Sequence, residues 1–222
     1  MDPQKENLLV LFGLERSVYT RIARLAIEEK GVPCTLEEVE IFGADGVPAE
    51  HFARHPFGRI PVLQHGDFSI YETGAITRYV DEAFPGPTLQ PQDPVLRARM
   101  NQVIGLLDAY AYRPMVWGVF VQRISVPQSG GAPDENEIQE SLQSAETGLK
   151  ALGLLLGSAA FFAGECISLA DLHALPILHY FCLAPEGYAL LRTHPELLRW
   201  YDAMLSRGSV SRIATPFEVL EP

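Results

Sequence analysis

The segment between Ile60 and Ala83 constrains the fold most strongly, because it predicts a β-hairpin that runs directly into a helix. Pro61 has no N–H to donate to a neighbouring strand, so it can lie only at a strand entry or on a sheet edge. His65-Gly66-Asp67 supplies a short turn between two apolar runs, 61–64 and 68–71, which is typical of a hairpin. Apolar residues then recur with the helical period: Ala75, Ile76, Tyr79, Val80 and Ala83.

Glu72 and Thr73 stand at the predicted start of that helix. The first N–H groups of a helix lack intrahelical partners, and the helix dipole favours an anion beside them. The pair therefore indicates a binding site for a charged, peptide-like ligand at the junction of hairpin and helix. The same two residues would also occur where Thr73 simply capped an ordinary helix, so both interpretations stand at this point.

Strands and helices alternate in the first part of the chain. Residues 8–12 predict a buried strand, and residues 17–30 predict a helix that Gly31 ends, because glycine readily takes the left-handed conformation after a helix. Residues 35–41 predict a second strand with alternating apolar positions. The order β-α-β followed by β-β-α is that of a thioredoxin-like α/β domain, which we place at residues 1–84.

The rest of the chain carries almost no strand signal. Residues 85–94 are rich in Pro and Gly and predict a short linker, so residues 95–222 form a separate all-helical domain. Long helices are predicted at 94–123 and 134–156, with a mobile loop between them at 125–133. A further helix should begin at Ser168, because Ser168 with Asp171 has the spacing of a capping box and Ile167 with Leu172 that of a hydrophobic staple.

Composition excludes several functional classes. The net charge of −11 argues against binding to a nucleic-acid backbone, which requires a basic surface. No apolar run approaches the ~20 residues that a membrane span needs, and the N-terminus lacks the pattern of a signal peptide, so we expect a cytoplasmic protein with no membrane partner. Cys34, Cys166 and Cys182 lie far apart, which indicates neither a disulfide framework nor a metal site.

Three separated segments together resemble the cytosolic glutathione transferases, and in particular the bacterial theta- or phi-like type that uses a serine. They are residues 17–31, residues 55–79 and residues 162–172, and they occur in the order that the family shows. The resemblance covers nearly the whole chain. It implies a thioredoxin-like glutathione-binding domain followed by an all-helical domain, with a homodimer as the assembly and glutathione as co-substrate without a metal.

The resemblance implies that Ser17 is catalytic. A thiol near a helix N-terminus has a lowered pKa, and a serine hydroxyl can donate a hydrogen bond to the sulfur. Ser17 could instead be an ordinary N-cap that satisfies its own helix. Tyr19 is the rival hydroxyl, although its predicted place inside the first helical turn suits packing better.

Glutathione would be held by five further residues. The resemblance implies that the backbone of Ile60 pairs with the cysteinyl moiety before a cis-Pro61, and that Glu72 and Thr73 hold the ammonium and carboxylate of the γ-glutamyl group. Arg59 could reach a carboxylate or could equally point to solvent. Phi-like members carry a His or Lys pair for the glycine carboxylate where this chain has Val47 and Pro48, so His51, Arg54 or Arg59 takes that role or affinity is weak. His51 and His55 are otherwise interpreted as loop residues.

The acceptor would be a small hydrophobic electrophile in a cleft between the domains, lined by aromatic residues of the first long helix: Tyr110, Tyr112, Trp117 and Phe120. An aromatic stripe at helical spacing can equally belong to a core. Two other functions share the fold. One is a non-catalytic binding or interaction module, and the other is a glutathione-dependent isomerase or dehalogenase that differs only in its acceptor.

Overall fold

The computed structural model describes residues 8–213, and within them the chain forms two compact units. The division between the units follows Thr88, inside the segment predicted as a linker. The second unit ends at Arg207, and the segment that begins at Gly208 groups with the first unit instead. The structure therefore differs here from the predicted domain at 95–222, whose last residues, 214–222, lie outside the described part.

The first unit is built on a mixed four-stranded sheet in the order β2-β1-β3-β4. Strand β1 pairs in parallel with β2 and antiparallel with β3, and β3 pairs antiparallel with β4. This is the thioredoxin-like arrangement that the sequence predicts. The strands are β1 Leu9–Gly13, β2 Thr35–Glu38, β3 Val62–His65 and β4 Phe68–Tyr71.

Four helices complete this unit: α1 Val18–Lys30, α2 His51–Arg54, α3 Thr73–Ala83 and the last helix of the described chain, Gly208–Arg212. Gly31 ends α1 with φ 67°, as the sequence predicts. The core between sheet and helices consists of buried aliphatic side chains: Leu9, Leu11, Ala23, Ile27, Leu63, Ile76 and Val80. Hydrogen bonds from Ser209 to Glu29 and from Arg212 to Glu28 attach the last helix to α1.

Strand β2 is shorter than predicted, ending at Glu38 rather than at residue 41. It lies at the edge of the sheet with only β1 to pair, and its side chains are exposed or half-buried. Because β-strand stability depends on cross-strand partners and burial, the apolar alternation up to Ile41 is insufficient to extend it.

The named elements of the second unit are all helices, as predicted, and one isolated β-bridge joins Phe161 to Gly164. Its first long helix starts as α4 and continues through two wide, π-helical stretches into α5, so it ends after the predicted residue 123 and the following loop is shorter. Tyr112 donates its N–H to Leu107, five residues back, which is the π pattern. The elements are α4 Pro94–Leu106, the π-helical stretches Leu107–Ala111 and Arg113–Ser125, α5 Val126–Gln128, α6 Glu135–Leu156, α7 Leu169–Leu183, α8 Pro185–Leu191 and α9 Pro195–Leu205.

The predicted capping box at the start of α7 is present, and its aspartate does more than cap. The Asp171 carboxylate accepts hydrogen bonds from the Ser168 N–H at 2.9 Å and from the Ser168 hydroxyl at 2.8 Å. Its other oxygen accepts from the Phe162 N–H at 3.0 Å and from the Trp200 indole at 2.9 Å. Asp171 is fully buried, so it connects α7, α9 and the preceding loop through satisfied polar contacts.

Within residues 8–213, none of the helices combines the length and the apolar character needed to cross a membrane.

Candidate active site

One end of the sheet collects the predicted glutathione-binding residues. Phe12 near the end of β1 pairs with Val62 at the entry of β3, and Val62 pairs with Tyr71 at the exit of β4. The segments that follow β1, precede β3 and follow β4 therefore meet at this end. Those segments contain Ser17, Ile60-Pro61 and Glu72-Thr73, so the topology brings together residues far apart in sequence.

Ser17 is the N-cap of α1, with an extended backbone (φ −78°, ψ 126°) and a half-buried side chain. Its hydroxyl oxygen accepts the Thr20 N–H at 3.4 Å, which is long for a hydrogen bond. The hydroxyl proton is not used in that contact, because the oxygen acts as acceptor. Ser17 can therefore cap α1 and still donate to a neighbouring anion.

Tyr19 is the second residue of α1 and is half-buried. Two arginines flank the same helix start. Arg16 forms an ion pair with Glu40, and Arg21 is 3% exposed. Both arginines are therefore engaged in the protein itself.

The peptide bond between Ile60 and Pro61 is cis, which agrees with the expectation. The Ile60 side chain is buried against Leu14 and Val39. His51 Nε2 lies 2.7 Å from the carbonyl oxygen of Arg59 and donates to it, because a carbonyl can only accept. The turn that presents the Ile60 backbone is thus fixed from both sides.

Glu72 has φ 72° and ψ 111°, and among residues 8–213 it is the one residue other than glycine with a positive φ. Such a backbone costs about 1–3 kcal/mol and persists where the surroundings impose it, commonly at functional sites. Glu72 is exposed and precedes α3, while Thr73 is the first residue of α3 and is buried. A carboxylate and a hydroxyl therefore stand at the α3 N-terminus, where free N–H groups favour an anion.

His55 is buried beside Tyr71, the last residue of β4. Its Nδ1 accepts the Phe57 N–H at 3.3 Å, and its ring lies 4.5 Å from the Tyr71 ring. Burial lowers the pKa of His55 below its ordinary value, the nearby Glu72 carboxylate acts in the opposite direction, and His51 and Arg59 lower it further.

The interpretation as a loop residue is wrong for His51, which lies in α2 and is 0% exposed. His55 does lie in the loop that follows α2, although it is buried there with 3% exposure. The four-residue spacing of the two histidines was the available signal, since residues so spaced share one face of a helix. Neither burial nor the bond to the Arg59 carbonyl follows from that spacing.

The two arginines that could hold the glycine carboxylate of glutathione have different environments in the structure. Arg59 is exposed, whereas Arg54 is half-buried with its guanidinium 4.4 Å from the centre of the Phe12 ring. Val47 and Pro48 are half-buried and carry no charge. Among residues 8–213, no cluster of three or more His, Cys, Asp or Glu side chains has an arrangement suited to a metal ion.

The four aromatic residues predicted for the acceptor have different environments in the second unit. Trp117 donates its indole N–H to the Tyr112 hydroxyl at 3.1 Å, so these two lie together. Tyr110 is 73% exposed and lines a groove of about 890 Å³ between the first long helix and α6. Phe120 is buried edge-on against Tyr180, with ring centres 4.7 Å apart.

Family models match both parts of the chain. The glutathione S-transferase N-terminal domain matches residues 11–88, and the glutathione S-transferase C-terminal domain matches residues 135–203. Glutathione S-transferase F10 of Arabidopsis thaliana is 30% identical over 200 residues, which cover 89% of this chain and 92% of that protein. The chain belongs to the glutathione transferase family.

Solved structures of the glutathione transferase family show the same fold. Glutathione transferase F7 from Populus trichocarpa superposes with a TM-score of 0.83 at 26% identity, covering 93% of this chain and 97% of that one. Glutathione S-transferase I from maize, in complex with an atrazine–glutathione conjugate, has a TM-score of 0.81 at 25% identity and covers 93% and 96% of the two chains.

Proposed function

We propose that the protein is a glutathione transferase, which binds glutathione, holds its thiol as thiolate and directs it at a hydrophobic electrophile. The observation that carries the proposal is the position of the Ser17 hydroxyl. It lies at the N-terminus of α1, at the same sheet end as the Ile60 backbone and Glu72. A maize relative of the same fold binds a glutathione conjugate, which supports the assignment.

Glutathione binding divides among three segments in this proposal. The Glu72 carboxylate takes the ammonium of the γ-glutamyl group in a charge-assisted pair, and the Thr73 hydroxyl with the α3 N–H groups takes its carboxylate. The backbone of Ile60 pairs with the cysteinyl backbone. This places the cysteinyl sulfur toward the loop after β1, where Ser17 stands.

Thiolate formation is the chemical task of the site. The free thiol has a pKa near 8.5, so little thiolate exists at neutral pH until a hydrogen-bond donor and a helix N-terminus stabilise it. The proton leaves the sulfur to water, and Ser17 donates its own O–H to the resulting anion. The sulfur electron pair then forms a carbon–sulfur bond to the electrophile, and either a leaving group departs or the product carbanion takes a proton.

The finer assignments belong to the same proposal. The enzyme is of the bacterial theta- or phi-like serine type, and it acts in the cytoplasm as a homodimer. Its acceptor pocket is lined by Tyr110, Tyr112, Trp117 and Phe120. Three cysteines without disulfides support a reducing compartment. The glutathione-binding domain spans residues 1–84, the linker residues 85–94 and the helical domain residues 95–222 in this proposal. The helix that begins at Gly208 belongs to the last range in sequence but groups with the first unit.

Ser17→Ala tests the proposal. If the hydroxyl donates to the sulfur, the substitution should raise the pKa of bound glutathione by about one to two units, at ~1.4 kcal/mol per unit, while glutathione affinity changes little. The ultraviolet thiolate band measured against pH reports the pKa, and turnover near neutral pH should fall in parallel. Tyr19→Phe is the matched control and should leave both unchanged.

Three other outcomes would change the assignment. Loss of the thiolate band in Tyr19→Phe but not in Ser17→Ala would transfer the role to the tyrosine. Glutathione binding by calorimetry without turnover on any of a panel of electrophiles would instead favour a non-catalytic binding module. Turnover confined to isomerisation or dehalogenation would identify the acceptor class and retain the thiolate site.

A further inference from the structure

A buried ion pair connects the C-terminal ends of α1 and α3, at the opposite end of these helices from Ser17 and Glu72. Lys30 is the last residue of α1 and Asp81 lies in the last turn of α3, with side chains only 3% and 4% exposed. The Lys30 ammonium donates to Asp81 Oδ1 at 3.2 Å. It also donates to the Asp81 carbonyl oxygen at 2.9 Å and to the Pro87 carbonyl oxygen at 3.0 Å, so all three of its N–H groups are used.

Stability alone does not explain this ion pair. Taking two charges out of water carries a large desolvation cost, so well-packed apolar side chains often stabilise a protein as well as a buried ion pair does. The ion pair differs from them in geometry, because three directed hydrogen bonds fix the groups around the ammonium. Gly86 lies against the same place, since a Cβ at its φ of 126° would be 2.9 Å from the Lys30 carbonyl oxygen.

The two helices that Lys30 connects are parallel neighbours. Strands β1 and β4 both run antiparallel to β3, so they point in the same direction, and α1 follows β1 as α3 follows β4. Both helices contribute side chains to the same core. Their N-termini therefore lie at one end of the sheet, with Ser17 before α1 and Glu72 before α3, while Lys30 holds their C-termini together at the other end.

The spacing of the two N-termini matters because one glutathione molecule contacts both in the proposed function. Its γ-glutamyl group is held at the start of α3, and its sulfur is presented to Ser17 at the start of α1. Helix α1 has 13 residues and is about 20 Å long, so a tilt of about 3° at Lys30 moves the Ser17 end by about 1 Å. A misplacement of about 1 Å can reduce a rate about a hundredfold.

We propose that Lys30, paired with Asp81, is a positioning residue that fixes the Ser17 hydroxyl relative to the γ-glutamyl site at α3. It acts through the two helices and does not contact glutathione. This role rests on the proposed function, because it requires that Ser17 donates to the glutathione thiolate. Loss of the ion pair should therefore change the contact to the sulfur and leave the contacts to the peptide intact.

The double variant Lys30→Met/Asp81→Leu tests this role, because it replaces the ion pair with apolar side chains and leaves no unpaired charge. The pKa of bound glutathione, measured from the ultraviolet thiolate band, should rise by about one unit, and turnover near neutral pH should fall in parallel. Affinity for S-methylglutathione, which has the peptide groups but no ionisable thiol, should change less than about twofold. In a Ser17→Ala background, the same double variant should raise the thiol pKa no further.

Two matched controls separate position from stability. Asp81→Asn keeps an oxygen acceptor for the Lys30 ammonium, so the thiol pKa should stay near the wild-type value. Arg212→Gln breaks the 2.6 Å hydrogen bond to Glu28, which attaches α1 to the last helix rather than to α3, and should change neither pKa nor turnover. Thermal unfolding checks the fold of each variant. If the double variant does not fold, Lys30→Gln provides the comparison, because its amide is one atom shorter and uncharged, and it should raise the pKa in the same direction.

The outcomes separate the role of Lys30 from the proposed function. A folded double variant with the wild-type thiol pKa and turnover would overturn the positioning role and leave the transferase function standing. An equal rise of the pKa in the Ser17→Ala background, or a parallel loss of S-methylglutathione affinity, would also overturn it, since either indicates general loosening of the unit. Wild-type protein without a thiolate band, or with a band that Ser17→Ala does not change, would overturn the assignment of Ser17 and this role together.

Discussion

At the scale of single residues, Glu72 combines an unfavourable backbone conformation with a proposed role in binding. Its φ of 72° is unfavourable for any residue with a Cβ, so glycine would fit the conformation better. We expect Glu72→Gly to raise the free energy of unfolding by about 1 kcal/mol, because the strain is relieved. The same variant should weaken glutathione binding by roughly 1.5–3 kcal/mol, because a charge-assisted contact is lost.

Calorimetry and chemical denaturation of the same samples measure both effects. Glu72→Ala loses the carboxylate without gaining conformational freedom, so it should bind as weakly as Glu72→Gly without the gain in stability. Thr73→Ala should also lose affinity. Normal binding by either alanine variant would show that the γ-glutamyl group is held elsewhere.

His55 predicts a pH dependence of stability. Its pKa lies below the ordinary 6.5, chiefly through burial, so between the two values the unfolded chain binds more protons than the folded one. Stability should therefore fall as the pH drops below about 6.5 and continue to fall until the folded-state pKa is passed. The charged and titratable groups around the ring are Glu72, His51 and Arg59.

His55→Asn is the variant that tests this dependence, because its amide oxygen can accept the Phe57 N–H in place of Nδ1. The difference between unfolding free energies at pH 7 and pH 5 should be smaller in this variant than in the wild type. An equal difference in the two proteins would assign the acid sensitivity to other groups.

The structural role of a single residue was predictable where that role depends on its neighbours in the sequence. Ser17 as a helix N-cap and Pro61 at a strand entry follow from spacing and from the missing proline N–H. The burial of His51 and the stacking of Arg54 on Phe12 were not predictable, because both arise from contacts between residues far apart in the chain. Those long-range contacts distinguish the three cations that the sequence could only name as alternatives.

At the scale of elements, the start of α7 is the clearest case in which a short motif predicts structure. Asp171→Ala removes the acceptor for four hydrogen bonds and leaves buried donors on Phe162, Ser168 and Trp200. Each unsatisfied buried donor costs about 1–3 kcal/mol, so we expect a loss of at least 3 kcal/mol in the free energy of unfolding. Glutathione affinity of the folded fraction should not change.

Denaturant unfolding followed by tryptophan fluorescence measures this loss. Asp202→Ala is a suitable control, since Asp202 is an exposed acidic residue on α9. A folded and stable Asp171→Ala protein that fails to bind glutathione would contradict the assignment of Asp171 to the fold alone.

The limits of helices and strands were predictable where turn residues, helix caps and regular apolar spacing mark them in the sequence. The hairpin of β3 and β4, the helix α1 and the N-terminus of α6 lie within a residue or two of their predicted limits. The π-helical winding after Leu106 was not predicted, because periodicity near 3.6 does not distinguish it from an α-helix. Pro114 lies inside the wide stretch and has no N–H, which removes one α-helical hydrogen bond there.

At the scale of the whole molecule, two exposed aromatic side chains offer a candidate contact surface for a second copy of the chain. Phe57 is 73% exposed and Tyr71 is 37% exposed, and both rings lie against the His55 ring, so we treat them as one aromatic patch beside the proposed glutathione site. Exposed apolar clusters of this kind mark interaction surfaces. The resemblance to the family implies that a second copy of the chain covers it, in an isologous contact about a two-fold axis.

Sedimentation velocity at micromolar concentration should show a homodimer, and Phe57→Ser should shift the equilibrium toward monomer. Removing a buried phenyl ring from each half of an isologous contact subtracts its hydrophobic contribution twice, at about 2 kcal/mol per side chain, so the dissociation constant should rise by several hundredfold. Leu154→Ser is the control, because Leu154 is 86% exposed on α6 without belonging to the patch. A wild-type monomer would remove the dimer proposal, whereas dissociation by Leu154→Ser and not by Phe57→Ser would place the contact on the second unit alone.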